Sequence, residues 1–314
     1  MLCLLPFCNT IKNIGNAVNA AISYRKFEFN FWLQSLSFAA NGYISLLTNV
    51  AYGIIMHLGR CYQIMDKYEL EKARNAIVVK SNDLIQKSRF ELSTLQQKLV
   101  LFLASKINTY DDDFKLHEFS ITEFCEICGI DETSGGNYIA IKKAIKDIAD
   151  KSIWIALEDG RETLVRWIEK PYIDKKSGLI KIRFDKDMKP FLLQLQGNFT
   201  EYELIWTVQF KSKYSIRLYE FVKSIHYNKL SPYEHIFTVE ELRKVMGAED
   251  VHKEWKNFRA RVLEPAIAEI NEFSNQTIEY SPMMKGKAVE RVWLKVTERD
   301  YIEALKSKRL KTEE

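Results

Sequence analysis

The stretch FSITEFCEICG at 119–129 returns without a gap as FTVEELRKVMG at 237–247. Both copies read Phe, Ser or Thr, Ile or Val, any residue, Glu, Phe or Leu, two variable positions, Ile or Val, one variable position, Gly. The pattern has mechanical reasons. Ser120 and Glu123, like Thr238 and Glu241, stand at the spacing of a capping box, in which a hydroxyl and a carboxylate satisfy the first free N–H groups of a helix. Phe124 and Ile127 supply the apolar side, and Gly129 or Gly247 can take the left-handed conformation that ends the helix. The same element types flank both copies. An internal repeat constrains architecture more than any single motif, and the fold it implies is α+β: tandem winged helix-turn-helix domains.

In the first unit, residues 65–200, a helix starts at Ser93 (STLQQKLVLFLASKIN) ahead of the repeat. Another follows from about Tyr138 (YIAIKKAIKDIADKSIW), with Ile141, Ile145 and Ile148 inward and Lys142, Lys143 and Lys146 outward. TLVRWI (163–168) and LIKIRF (179–184) alternate as strands and are expected to pair as a β-hairpin through a basic tip at Lys175 and Lys176. In the second unit, residues 201–299, a helix over 211–227 precedes the repeat. The wing expected after it is TIEY (277–280) and VERVWLKV (289–296), with Lys285, Gly286 and Lys287 at the tip.

Between them lies HKEWKNFRARVLEPAIAEIN, 252–271. Trp255, Phe258, Val262, Ala266 and Ile270 recur at spacings of three and four, one face of a helix. Lys253, Lys256, Asn257, Arg259 and Arg261 fall off that stripe, in a half that only Glu254 interrupts with an acid. A helix that buries one side and offers a basic, amide-bearing half on the other suits a DNA major groove. The bland alternative is an amphipathic helix with solvated charges. Pro265 inside it removes one backbone hydrogen bond, which predicts a kink or break near Arg261–Glu264.

Composition limits what this chain can do. The formal charge is +4 over 314 residues, so a nucleic-acid surface has to come from local patches. Residues 1–64 hold four basic side chains, one acid and three of the five cysteines, leaving 42 basic and 41 acidic residues for the remainder. Phe29–Gly59 carries no charge, but Asn30, Gln34, Asn41 and Asn49 dilute it. This segment reads as a poorly structured leader or a spurious upstream extension, with a membrane anchor as the competing reading. Residues 300–314 form a charged tail. Irregularly spaced cysteines indicate a reducing compartment, hence a cytoplasmic protein. Cys125 and Cys128 lack a second pair, so they read as buried thiols and not as zinc ligands. No His-x-His accompanies a nucleophilic tyrosine as a rolling-circle nickase requires, and Gly286-Lys287 lacks a phosphate-binding loop. The reading is of a protein that is not an enzyme and takes no cofactor, metal or small-molecule substrate.

SKYSIRLYEF (212–221), FTVEELRKVMG and especially FRARVLEPAIAEIN (258–271) resemble the plasmid replication initiators of the Rep_3 (RepB-type) family, over roughly residues 70–299. The resemblance implies two winged-helix domains that bind iterons, the direct repeats of a plasmid origin. The second domain would be the main reader of bases. The first would grip the other end of the repeat, or mediate dimerisation when the protein represses its own gene. It also implies opening of A·T-rich duplex and recruitment of host initiator and helicase proteins. Where some members carry three consecutive arginines, this chain has Ala260 between Arg259 and Arg261. Expected DNA contacts are Lys253, Lys256, Asn257, Arg259 and Arg261, the wing residues Lys285 and Lys287, and Lys142, Lys143 and Lys146. The rival reading is a tandem winged-helix transcriptional regulator without a replication role.

Overall fold

Both copies of the repeat fold into the same local structure. The computed structural model describes residues 65–130, 136–157, 159–174, 178–226, 231–300 and 304, so the leader, the tip at Lys175 and Lys176 and most of the tail lie outside the described residues. In chain order, α1 (Lys67–Arg74), β1 (Ile77–Ser81), α2 (Asn82–Gln86) and β2 (Ser88–Arg89) lead to α3 (Thr94–Ala104), β3 (His117–Ser120), α4 (Ile121–Cys128) and α5 (Gly136–Asp150). Then come β4 (Ser152–Ala156), β5 (Glu162–Arg166), β6 (Tyr172–Ile173), β7 (Leu179–Ile182), α6 (Lys189–Leu192) and β8 (Phe199–Glu203). The second half runs α7 (Lys213–Ile225), β9 (Tyr233–Thr238), α8 (Val239–Met246), α9 (Trp255–Phe258), a π-helical turn (Arg259–Leu263), α10 (Glu264–Phe273), β10 (Gln276–Lys285) and β11 (Ala288–Glu298).

In the first copy the Ser120 hydroxyl accepts from the Glu123 N–H, and in the second Thr238 and Glu241 complete the reciprocal box. Gly129 closes α4 at φ 61°, ψ 40°, and Gly247 closes α8 at φ 63°, ψ 42°. A Cβ at Gly247 would meet nothing closer than 3.8 Å, so its left-handed backbone, and not crowding, calls for glycine. Phe119 and Phe237, which enter the two helices, are both buried. β3 pairs with β7 and β9 with β11, so each repeat is anchored to a sheet.

Two expectations for the first unit fail. The helix from Tyr138 was extended through Trp154 on its apolar spacing, but α5 ends at Asp150 and Ser152–Ala156 is β4. Ile153 and Ile155 are buried while Trp154 between them is exposed, a period of two that suits a strand. That strand takes β5 as its neighbour, so 163–168 and 179–184 do not form a hairpin. The sheets are β2-β4-β5 and β3-β7-β6, and among the described residues only an Ile168–Phe184 bridge joins them. In the second unit β10 and β11 pair along their length as the wing, with β9 on the far side of β11.

The apolar core is continuous through both halves, and α7 is the element they share. It packs on α2, α3 and β8 on one side and on α8 and α10 on the other, with Ser215 through Val222 buried. Its buried acid is paired there. Glu220 of α7 pairs with Lys80 of β1 at 2.6 Å, both nearly inaccessible, and the Tyr202 hydroxyl of β8 donates to the same carboxylate. Charges this deep are tolerated only with such partners, because desolvation penalises each one singly.

Candidate nucleic-acid interface

A residue of α8 sets the entry to α9. Arg243 of α8 lays its guanidinium over the Phe258 ring, 4.4 Å from the centroid, and donates to the carbonyls of Val251 (3.2 Å) and Lys253 (2.7 Å). Desolvation lowers its pKa. The connection from Gly247 to Glu254 is thereby tied to the helix it introduces, with His252 accepting a left-handed backbone at φ 52°. The helix begins at Trp255, not at His252. Lys253 therefore precedes it in the connection, with an exposed side chain, and is not on the helix.

From Trp255 onward, Phe258, Val262, Ala266 and Ile270 are fully buried and Trp255 is half-buried, so the apolar stripe faces the core as its spacing indicates. Lys256, Ala260, Arg261 and Pro265 face solvent. Near the expected position the regular α-helix is interrupted, although the chain stays helical. The turn Arg259–Leu263 widens to π geometry, and the Glu264 N–H donates to the Arg259 carbonyl five residues back. A proline clashes with the carbonyl four residues before it and cannot bond to it. One wide turn removes both conflicts and keeps the dihedrals helical. It also resets the helical phase between Lys256 and the residues after Arg261.

The two arginines are not equivalent. Arg259 is half-exposed, with Nε 3.6 Å from Glu264 Oε1, and the Tyr280 hydroxyl on the wing donates to that same oxygen at 2.5 Å. Burial, then the Glu264 bond, pushes the Tyr280 hydroxyl up to about 12. Arg261 is exposed and makes no hydrogen bond or ion pair among the described residues, as is the case for the Lys256 ammonium. Asn257 is half-buried and donates to Glu254 at 3.2 Å. Asn271 fixes the base of the wing by exchanging two hydrogen bonds with the Ile278 backbone, at 2.7 and 3.0 Å. At the wing tip, Gly286 (φ 62°) occupies the first position of a two-residue turn, the type II′ requirement. Lys285 leans on Glu290 at 2.7 Å, and Lys287 is exposed.

The first domain's lysines form a separate cluster on α5. Lys142, Lys143 and Lys146 are exposed as expected, but Lys143 pairs with Asp147 at 2.7 Å and Lys146 with Asp150 at 3.9 Å. Asp147 is held below the usual carboxylate range by Lys143. The sequence-selected candidates thus fall into two groups: Lys256, Asn257, Arg259 and Arg261 with the wing in the second unit, and three lysines on one helix in the first.

Sequence reasoning missed the basic residues that cap the repeat helices. Lys98 of α3 donates to Cys128 O and Val208 O, at 3.2 and 2.5 Å. Arg74 of α1 donates to Glu126 O and Ile127 O, at 2.7 and 3.0 Å. In the second copy Arg217 of α7 donates to Val245 O at 2.5 Å while stacking on Phe90. These satisfy the orphan carbonyls at helix C-termini. A signal existed: Lys98 and Arg217 each stand five residues after the serine that caps their helix, Ser93 or Ser212, and a Leu follows each. The repeat therefore starts one helix earlier than its legible core. Cys125 and Cys128 are buried between these elements, and burial pushes the Cys128 thiol up to about 12. No helix among the described residues is long and apolar enough to cross a membrane.

Comparison with known proteins agrees with this geometry. A replication initiation protein of Escherichia coli is 24% identical over 209 residues, 64% of this chain and 64% of that protein, so the chain spans about two thirds of its relative. The solved structure of the Pi initiator protein in complex with iteron DNA is 18% identical. It aligns with 72% of this chain and 99% of its own at a TM-score of 0.62, a likeness of fold. Residues 77–223 match the family described as initiator replication protein, WH1, and residues 238–295 match initiator Rep protein, WH2. Together these matches span most of the described residues in the order the internal repeat requires, and the chain belongs to the Rep_3-type family of plasmid replication initiators.

Proposed function

We propose that this chain is a sequence-specific double-stranded DNA-binding protein that recognises direct repeats, iterons, at a plasmid origin and starts replication there. The observation that carries the reading is the asymmetry of the helix from Trp255 to Phe273, which we read as the recognition helix: one face is sealed in the core, and the other presents Lys256 and Arg261 without partners among the described residues. Arg261 has the fork geometry that reads guanine O6 and N7, and Lys256 suits a phosphate or a guanine edge. Arg259 can reach the same groove only by giving up its contact with Glu264, so it is the weaker reader of the pair. Asn257, Lys253, Lys285 and Lys287 border this surface. Family membership supports the reading, as does the likeness of fold to an initiator whose solved complex contains iteron DNA.

In this reading Lys142, Lys143 and Lys146 of the first domain, residues 65–200, meet phosphates at the other end of a repeat, and the second domain, 201–299, reads bases. Phosphate contacts supply salt-dependent affinity without sequence information. The protein acts in the bacterial cytoplasm without catalysis of its own. Several copies on repeated sites distort neighbouring A·T-rich duplex, host initiator and helicase proteins are recruited, and a dimer formed through the first domain represses the gene. The test is fluorescence anisotropy of the full chain on a duplex with one direct repeat against a shuffled duplex, across a salt series. Preference for the repeat by about 10³ or more, lost in an Arg261→Ala/Lys256→Ala variant, is expected. Equal, steeply salt-dependent binding to both duplexes would reduce the activity to backbone contact and remove the iteron assignment.

A further inference from the structure

An acid stands among the outward residues of the helix from Trp255 to Phe273. Glu264 is the only one between Trp255 and Ala268, and it is half-exposed beside a surface that is otherwise basic. DNA phosphates would push a free carboxylate away from there, yet Glu264 is held in place. The Tyr280 hydroxyl donates to its Oε1 at 2.5 Å, and Arg259 Nε approaches the same oxygen at 3.6 Å. The second approach is too long for a hydrogen bond, and Arg259 Nε has no acceptor among the described residues. Charge alone holds Arg259, so it can leave without breaking a hydrogen bond. A carboxylate has two oxygens to accept with, and both of these contacts fall on Oε1.

The π turn brings the two charges together. In a regular α-helix, residues five apart point about 140° apart around the axis. The bond from the Glu264 N–H to the Arg259 carbonyl closes a wider turn, which stacks the acid against the arginine. Lys256, Ala260 and Glu264, four residues apart, follow one ridge of the helix. The acid thus continues the line that Lys256 opens. A carboxylate only accepts, and its complement in a major groove is an exocyclic amine. Cytosine shows the N4 amine alone, whereas adenine sets the N7 acceptor beside its amine, where it faces the carboxylate. Within a G·C pair the cytosine amine donates to guanine O6 over about 2.9 Å. A cation and an anion 3.6 Å apart match that neighbouring acceptor and donor.

We propose that Arg259 and Glu264 act as one unit that reads a single G·C pair, Arg259 on guanine O6 and N7 and Glu264 on the cytosine N4 amine. Glu264 is then a specificity-determining residue of the helix. When Arg259 moves to guanine, the cytosine amine replaces it as the partner of the carboxylate. At an A·T pair the acid meets thymine O4 or adenine N7, both acceptors, and its repulsion from phosphate goes uncompensated. Such a penalty on wrong sites adds to the gain at the right one. The assignment rests on the DNA-binding reading above and names the base pair that the half-committed arginine takes.

The test uses the full chain and anisotropy on a single-repeat duplex whose cytosines are replaced, one at a time, by N4-methylcytosine. That base keeps its pair with guanine and exchanges the groove-facing N4 hydrogen for a methyl group. Wild type is expected to lose about tenfold in affinity at one cytosine, and a similar factor when the paired guanine becomes 7-deazaguanine. Glu264→Ala should be indifferent to methylation at that cytosine and bind a shuffled duplex a few-fold more tightly than wild type. Glu264→Gln keeps an oxygen for the Tyr280 hydroxyl, so the wing contact survives. Without the charge its methylation effect should fall to about threefold. Arg259→Ala should abolish the 7-deazaguanine effect. A methylation effect undiminished in Glu264→Ala would overturn the assignment. So would a wild type that prefers the repeat by about 10³ yet ignores methylation at every cytosine. Wild type with no preference for the repeat would instead remove the base-reading assignment itself, and the G·C contact with it.

Discussion

The two helix-turn-helix units are built on one plan and differ where function would demand it. Each opens with a serine-capped helix whose fifth residue, Lys98 or Arg217, reaches the C-terminal carbonyls of the next helix. Each next helix starts at a hydroxyl cap and stops at a left-handed glycine. The third helices then diverge. Helix α5 is regular, and two of its three outward lysines are engaged by aspartates one turn away. The second carries a π turn, is pinned by Arg243 on Phe258, and leaves Lys256 and Arg261 with no partner among the described residues. Self-neutralised lysines suit a surface that touches phosphate loosely, whereas a fixed helix with open donors suits the reading of bases. The comparison teaches that one scaffold can serve both roles by changing which charges find partners at home.

That contrast can be broken in several ways, taken from the largest effect down. Lys80→Met leaves Glu220 buried without its cation below the shared helix and should cost about 3–5 kcal/mol in urea unfolding; a loss under 1 kcal/mol would mean that water reaches the pair. Next, Lys256→Ala/Arg261→Ala should weaken repeat binding by about a hundredfold or more, measured by anisotropy. Lys142→Ala/Lys143→Ala/Lys146→Ala should reduce affinity for any duplex and lower the salt slope by about 2–3. A triple variant that lost selectivity would reverse the roles assigned to the two units. Arg217→Met is expected to destabilise by about 1–3 kcal/mol through the orphaned Val245 carbonyl. Lys98→Met should cost a similar amount, and a large disparity would show that the two caps are not equivalent. Smallest, Thr238→Ala breaks a complete capping box and should cost about 1 kcal/mol. Ser120→Ala should cost less, because the Glu123 carboxylate is already committed to Lys106 at 2.7 Å.

The Cys128 thiol offers a chemical check on the first unit. The sign is set by burial: a pKa near 12 in place of 9 keeps the thiol protonated through neutral pH, and any stability this adds is lost only above pH 9. At pH 8.5 native Cys128 should alkylate about a thousandfold more slowly than in the unfolded chain, as read by peptide mass spectrometry. Rapid labelling would show that the first unit opens locally.

Legibility followed the range of the interactions. Caps, glycine stops and the apolar stripe from Trp255 to Ile270 were readable because each depends on residues within a turn or two. The helical spacing runs on through ADKSIW, and pairing with β2 and β5 makes Ser152–Ala156 a strand instead. Losing that strand also misassigned the partners of β5 and β7. On the recognition helix, two arginines of equal rank in sequence turned out unequal, since a carboxylate five residues on and a wing tyrosine engage only the first.

Sequence by itself determined the duplicated plan of this protein, its family and the helix that faces outward with basic residues. Those properties are written in periodicity and in cap chemistry, which act along the chain. Tertiary structure alone decided which strands pair, how Pro265 is absorbed by a π turn, which cations are neutralised and where Met283 and Met284 are left exposed. Each of those depends on groups far apart in sequence meeting in space, where desolvation and partner supply, and not local propensity, set the outcome.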